Sequence, residues 1–226
     1  MSSSMNAPPT LVLFDLDGTL VDSAPDLCGS ANDMRVERGL EPKPYQQLRP
    51  LVGTGARGMI GAAFGLGPDD GAEFTALRDE FLERYARRLL QQTRPFDGIE
   101  AVLARLEAEG VAWGIVTNKP SRYTLPIING LGLGTRAAAI VCGDTTPFAK
   151  PHPAPLLEAA RRCGAVPTRS VYVGDDLRDV HAGRAAGMST VAAAWGYLGD
   201  GAPITEWGAE AVAAAPSDLL KLLHLP

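Results

Sequence analysis

The sequence is short of the residues that build disulfide frameworks and metal–thiolate centres. Its 226 residues include three cysteines, Cys28, Cys142 and Cys163, an odd count at wide spacings with no C-x-x-C pair. That pattern predicts reduced thiols buried as small apolar residues, not a zinc site or a disulfide scaffold. Histidine is equally sparse: His152, His181 and His224 form no Ser/His/Asp or Cys/His arrangement and are expected to be structural or surface residues. Basic charge is in deficit, with 21 Lys and Arg against 26 Asp and Glu for a net charge of −5. A nucleic-acid partner is therefore not expected, because phosphate backbones are met with a basic excess. A small anionic substrate stays compatible, since one lysine and one metal ion can outweigh a mildly acidic surface. No apolar run approaches the roughly 20 residues of a membrane helix. Met1 to Thr10 is polar and proline-containing, lacks the basic start and apolar stretch of a signal peptide, and is expected to be a frayed tail. These absences predict a cytoplasmic protein without membrane contacts, a monomer or homodimer.

What is present begins with a repeated pattern of short apolar runs that end in polar residues. Hydrophobic residues make up 46% of the chain, enough for a substantial core. Leu11 to Phe14 ends at Asp15, Val111 to Val116 at Thr117, Ala138 to Cys142 at Gly143-Asp144, and Ser170 to Val173 at Gly174-Asp175. Ser189 to Ala192 is a fifth run. All-apolar runs of this length suit strands buried on both faces of a parallel sheet. Helical patterns separate them: Ile99 to Glu109 with Ile99, Val102, Leu103 and Leu106 on one face, Ala154 to Cys163 with Leu156, Leu157 and Ala160, and the shorter Asp179 to Ala186. The alternation predicts an α/β fold, a doubly wound parallel sheet whose ligands bind beyond the carboxyl ends of the strands. Asp15, Thr117 and Asp175 should therefore converge.

Residues 22–96 break the alternation and predict an inserted α-helical cap on a core of residues 1–21 and 97–226. Pro25 to Arg38 and Asp69 to Leu90 are its expected helices, the second with a core stripe of Phe74, Leu77, Phe81, Tyr85 and Leu89. The segment Arg94 to Asp97 is the expected return hinge.

Four segments carry candidate chemistry. Asp15-Leu16-Asp17-Gly18-Thr19 follows the first strand, and Gly18 permits the tight turn that aims two carboxylates at one site. Gly174-Asp175-Asp176-Leu177-Arg178-Asp179 follows another buried strand. Like charges about 4 Å apart repel by about 4 kcal/mol at an effective dielectric near 20, so a divalent cation is expected, and oxygen ligands suit Mg²⁺. Asp175 is the further ligand, while Asp176 and Asp179 either ligate or hold metal-bound water. A helix-terminal role is equally open for Asp179. Thr117-Asn118-Lys119-Pro120 offers a hydroxyl and free N–H groups for phosphate, and Lys150-Pro151 offers a balancing cation.

In this order and with these sequences, the segments resemble the haloacid dehalogenase-like hydrolases, from Thr10 to about Leu223. Asp15 to Ser23, Val52 to Gly55, Thr117 to Pro120, Lys150-Pro151 and Val173 to Asp175 resemble the phosphoglycolate phosphatase branch of that family. The final Gly-Asp-Asp-Leu-Arg-Asp and the Val-Thr-Asn-Lys-Pro upstream are also similar to bacterial N-acetylmuramic acid 6-phosphate phosphatases. The resemblance implies a Rossmann-like core and hydrolysis of a small phosphorylated metabolite. It implies Asp15 as nucleophile and Asp17 as acid–base. Thr117, Asn118 and Lys150 would be phosphate-binding, with Mg²⁺ on Asp15, the Asp17 backbone carbonyl and Asp175. Asp17 favours a phosphatase over a dehalogenase, because an alkoxide leaving group needs a proton and a halide does not. Gly53, Thr54, Gly55 and Arg57 form the expected specificity loop of the cap, with Arg57 placed to meet a substrate carboxylate. A sugar-phosphate mutase and a non-catalytic binding protein are the other readings this scaffold allows.

Overall fold

The computed structural model describes residues 8–199 and 201–225. Strands β1 (Leu11–Phe14), β4 (Ala112–Val116), β5 (Ala139–Val141), β6 (Ser170–Gly174), β7 (Ser189–Ala193) and β8 (Ala211–Ala213) form one parallel sheet in the order β5-β4-β1-β6-β7-β8. β1 lies at its centre, hydrogen-bonded to β4 and β6 along its whole length, and all four of its side chains are buried. The apolar runs thus form strands because both faces are covered. Helices α5 (Ile99–Ala108) and α9 (Asp218–Leu222) pack on one face, α7 (Ala154–Arg162) and α8 (Leu177–Ala185) on the other. This is a doubly wound α/β sheet, and α6 (Ser121–Gly130) joins β4 to β5.

The helices α1 (Ala24–Glu37), α2 (Tyr45–Leu48), α3 (Gly55–Phe64) and α4 (Gly71–Ala86) all fall in one interval of chain. An antiparallel ribbon of β2 (Val21–Asp22) and β3 (Arg94–Pro95) brackets that interval. The insert has its own core, built on Met34, Leu48, Met59, Phe74 and Phe81, and Tyr123, Ile127 and Tyr197 from outside the interval join it. No helix among the described residues is long and apolar enough to cross a membrane.

Several expectations need correction. Leu157 is 41% exposed, and α7 buries Pro155, Leu156, Ala159 and Ala160 instead. Leu89 lies beyond the end of α4 and is only half-buried. Of the predicted tail, residues 1–7 lie outside the described residues, but Pro9 is buried and the Thr10 amide donates to the Arg169 carbonyl at 2.9 Å. The interval 22–96, expected to lack strands, contributes Asp22 and Arg94–Pro95 to the ribbon. Cys28, Cys142 and Cys163 are free thiols, the first two buried, and burial pushes the Cys28 thiol up to about 12. His152, His181 and His224 are exposed.

Candidate active site

The carboxyl ends of β1, β4 and β6 bring the expected groups together. The Asp15 amide donates to the Val173 carbonyl at 2.9 Å, extending the β1–β6 ladder by one residue and fixing the start of the acidic turn. Gly18 follows at φ +84°, and a Cβ there would lie 2.1 Å from Asp175 Oδ2, so glycine is required by both backbone and space. Thr19 Oγ1 donates to Asp175 Oδ1 at 2.9 Å, and the Tyr197 amide donates to Asp175 Oδ2 at 2.8 Å.

Asp15, Asp175 and Asp179 each offer a carboxylate oxygen within 4.8 Å of the others. Burial, with Asp179 adding to it against the opposing pull of Lys150, raises Asp15 from the ordinary 3.8 to about 6. Burial together with Asp15 and Asp179 raises Asp175 well above the usual carboxylate range. Asp15 and Asp175 thus lack sufficient positive charge nearby to ionise in the usual carboxylate range. Asp15 Oδ1 lies 2.8 Å from Lys150 Nζ, a contact whose angle falls short of a hydrogen bond. The donor set, all oxygen and all acidic, fits a hard divalent cation such as Mg²⁺.

Lys150 is buried, and its Nζ lies 2.8 Å from Asp179 Oδ1 and 2.8 Å from the Tyr172 hydroxyl. Burial alone would lower its pKa, but Asp15 and Asp179 outweigh this and raise it. The Asn118 side chain clamps the Lys150 backbone from both sides, donating to its carbonyl and accepting from its amide, each at 2.9 Å. Asn118 thus positions Lys150 through its side chain, a role its place in the sequence motif did not convey. Thr117 is buried beside it, its Oγ1 accepting from the Lys119 amide at 3.1 Å.

Asp179 sits at the helix start, as one of its two readings expected, and also pairs with Lys150. One oxygen meets Lys150, and the other accepts from the Asp176 amide at 3.0 Å at the start of α8. Asp176 caps that helix, accepting from the Arg178 amide, and its carboxylate pairs with the Arg178 guanidinium at 2.7 Å. Despite the opposing effect of burial, Arg178 lowers the Asp176 pKa. Asp17 points elsewhere: its carboxylate pairs with Lys119 Nζ at 3.0 Å and accepts from the Ser23 hydroxyl. It therefore stands outside the three-carboxylate cluster.

A cavity of about 360 Å³ opens over these groups. Gly53, Thr54 and Gly55 line it, whereas Arg57 is exposed and lies outside the lining. At about 100° per residue, Arg57 sits roughly a third of a turn from the Met59, Ile60 and Ala63 face that α3 buries. Phe81 and Tyr85, expected as pure core, also line the cavity, so the α4 stripe serves both.

Lys119 and Tyr197 escaped the sequence reading as site residues. Lys119 stood inside a quoted motif without a role, and its neighbour Asn118 drew the attention. Tyr197 lies beyond the last motif, and no local signal marks it. Its hydroxyl nonetheless accepts from the Ser23 and Ala24 amides at 2.8 and 3.0 Å and donates to Asp22 Oδ1 at 3.0 Å.

A family model described as haloacid dehalogenase-like hydrolase matches residues 12–193. A phosphoglycolate phosphatase of Xanthomonas campestris pv. campestris is 50% identical over 212 residues, covering 93% of this chain and 95% of its own. An N-acetylmuramic acid 6-phosphate phosphatase of Pseudomonas aeruginosa is 44% identical over 212 residues, covering 94% of this chain and 93% of its own. The crystal structure of a predicted phosphoglycolate phosphatase from Haemophilus somnus superimposes with a TM-score of 0.83 at 29% identity, covering 94% of this chain and 97% of its own. With sheet order, acidic turn and family match in agreement, the chain belongs to the haloacid dehalogenase-like hydrolases.

Proposed function

We propose that the chain is a Mg²⁺-dependent phosphatase that cleaves a small carboxylate-bearing phosphate monoester through a phosphorylated Asp15, phosphoglycolate being the leading substrate. The observation that supports this is the gathering of Asp15, Asp175 and Asp179 within 4.8 Å, with Lys150 among them and Asp17 on the same turn. Asp15, Asp175 and the Asp17 carbonyl would hold the ion, which supplies charge neutralisation for the phosphoryl oxygens when bound.

The chain's own groups divide the remaining work. An Asp15 oxygen attacks phosphorus, forming the acyl phosphate as the bond to the leaving oxygen breaks. Asp17 protonates that oxygen, then takes a proton from the water that hydrolyses the acyl phosphate and restores Asp15. General acid–base help of this kind contributes about 10²- to 10⁴-fold. The Thr117 hydroxyl and the Asn118 amide hold phosphoryl oxygens, and Lys150 balances the charge on Asp15. The helical insert, taken as a cap over residues 22–96, excludes bulk water.

A second reading, N-acetylmuramic acid 6-phosphate as substrate, is favoured by the cavity itself. A two-carbon acid leaves most of about 360 Å³ unfilled, and the Phe81, Tyr85 and Tyr123 walls suit the face of a sugar ring. A substrate panel tests both: phosphoglycolate, N-acetylmuramic acid 6-phosphate, hexose phosphates and nucleoside monophosphates, each with Mg²⁺ and with chelator. The expected outcome is Mg²⁺-dependent phosphate release with a strong preference for one carboxylated substrate. Undiminished turnover in chelator would remove the metal, and turnover of none of them would remove the phosphatase.

A further inference from the structure

Four cationic side chains line the cavity: Lys119, Arg122, Lys150 and Arg178. Three are engaged by groups of the site itself. Lys119 meets both carboxylate oxygens of Asp17, at 3.1 and 3.0 Å. Lys150 is shared between Asp15 and Asp179, each at 2.8 Å. Arg178 pairs with Asp176 and donates to the Gly53 carbonyl at 2.6 Å. Arg122 makes no side-chain hydrogen bond or ion pair with any described residue. The acid that feels its charge, Asp144, is already bonded by the Ser121 amide at 3.0 Å and the Ser121 hydroxyl at 2.7 Å.

The placement of Arg122 gives this free guanidinium a direction. It stands in the first turn of α6, exposed at the rim, with its guanidinium carbon 4.6 Å from the centre of the Tyr123 ring. The Tyr123 ring centre lies 5.7 Å from that of Tyr85, and Lys119 Nζ lies 4.6 Å from the Tyr85 ring. From the acid–base Asp17 outward, the file is therefore Lys119, Tyr85, Tyr123, Arg122. The Tyr85 hydroxyl is buried without a partner among the described residues. The groups spaced along this wall end in a stacked arginine, a residue whose planar fork suits a carboxylate.

We propose that Arg122 is a specificity-determining residue that pairs with a carboxylate on the leaving group, remote from the phosphorus. This rests on the phosphatase function proposed above, in its second reading with N-acetylmuramic acid 6-phosphate as substrate, and assigns to Arg122 the role that the sequence suggested for Arg57. The two tyrosines between Arg122 and Lys119 act as the spacer. The carboxylate it recognises belongs to a substrate with a sugar-sized body between acid and phosphate. Both N-acetylmuramic acid 6-phosphate and phosphoglycolate carry an acid, but only the former carries it across a sugar ring from its phosphate.

The test uses a matched pair, N-acetylmuramic acid 6-phosphate and N-acetylglucosamine 6-phosphate, which differ by the carboxylated lactyl ether. p-Nitrophenyl phosphate reports on the hydrolytic machinery. In Arg122→Gln, kcat/KM for the muramic acid substrate should fall by about 10- to 100-fold, the loss of one charge-assisted contact, chiefly through KM. The other two substrates should change less than about 2-fold, and Arg122→Lys should recover part of the loss. Equal losses on all three substrates, or no loss on any, would overturn the assignment. Wild-type protein that hydrolyses p-nitrophenyl phosphate without preferring the carboxylated sugar would overturn it while sparing the phosphatase. Wild-type protein that hydrolyses none of the three with Mg²⁺ would overturn both.

Discussion

Asp15 is the residue whose surroundings demand most of it, because burial and two neighbouring acids resist the charge a nucleophile needs. Asp15→Asn removes the proposed nucleophile and relieves that repulsion at once. The expected outcome is a fall in kcat of at least about 10³-fold with no loss of melting temperature in chelator, read by phosphate release and thermal unfolding. A variant that kept wild-type turnover would exclude the acyl phosphate. The same repulsion sets a pH dependence. Burial raises Asp15 in the folded chain from 3.8 to about 6, so the metal-free fold binds a proton there that the unfolded chain has released. That contribution favours folding below the ordinary carboxylate range and is lost as pH rises to about 6. Mg²⁺ bound as proposed would compete with this proton, so its stabilisation should be larger at about pH 7 than at about pH 5. Melting temperatures with and without Mg²⁺ at the two pH values measure it, and an equal shift at both would contradict the coupling.

At the scale of the element, the start of α1 shows how a helix end can be completed from far along the chain. Ser23 precedes the helix but gives it no side-chain cap, because its hydroxyl is turned to Asp17. The Tyr197 hydroxyl instead takes the Ser23 and Ala24 amides. Tyr197→Phe leaves the Ser23 amide buried and unpaired, while the Ala24 amide keeps Asp22 Oδ1 at 3.2 Å, an expected cost of about 1–3 kcal/mol in denaturant unfolding. The Asp175 contact is made by the Tyr197 backbone, so kcat should fall far less than in Asp15→Asn. Elements differ in how plainly the sequence shows them for the same reason. β1 is legible because Leu11 to Phe14 is apolar on both faces and stops at a charged residue. β8 is not, because Ala211-Val212-Ala213 lies at the sheet edge in an alanine-rich stretch, with Val212 exposed. Gly53, Thr54, Gly55 and Arg57 are expected in a loop from the sequence, and packing instead makes a 3₁₀ turn over Arg49–Thr54 followed by α3. Of the site, acids placed at strand ends could be read off. Partners supplied by packing, such as Tyr85 and Tyr197, could not.

Across the whole molecule, two arginines tie the helical insert to the sheet edge at the site. Arg49 donates from the insert to the Trp195 and Gly196 carbonyls at 3.1 and 2.9 Å, next to the loop that holds Asp175. Arg178 donates from the sheet side to the Gly53 carbonyl on the cavity wall. The two links run in opposite directions, so the insert is held over the carboxylates at two points instead of resting on apolar contact alone. Their loss should act on closure more than on folding, because the Arg178 side chain is 41% exposed and such pairs contribute little to stability, about 0–1 kcal/mol. Arg178→Ala should therefore lower kcat/KM by about 10-fold while moving the unfolding midpoint little. Proteolysis within residues 49–57 should quicken in the variant and slow again when substrate is present, since occupancy of the cavity restores the closed arrangement. An unchanged cleavage rate with unchanged kcat/KM would show that the Arg178 side chain serves only to pair with Asp176, and that closure depends on Arg49 and the apolar contacts of the insert.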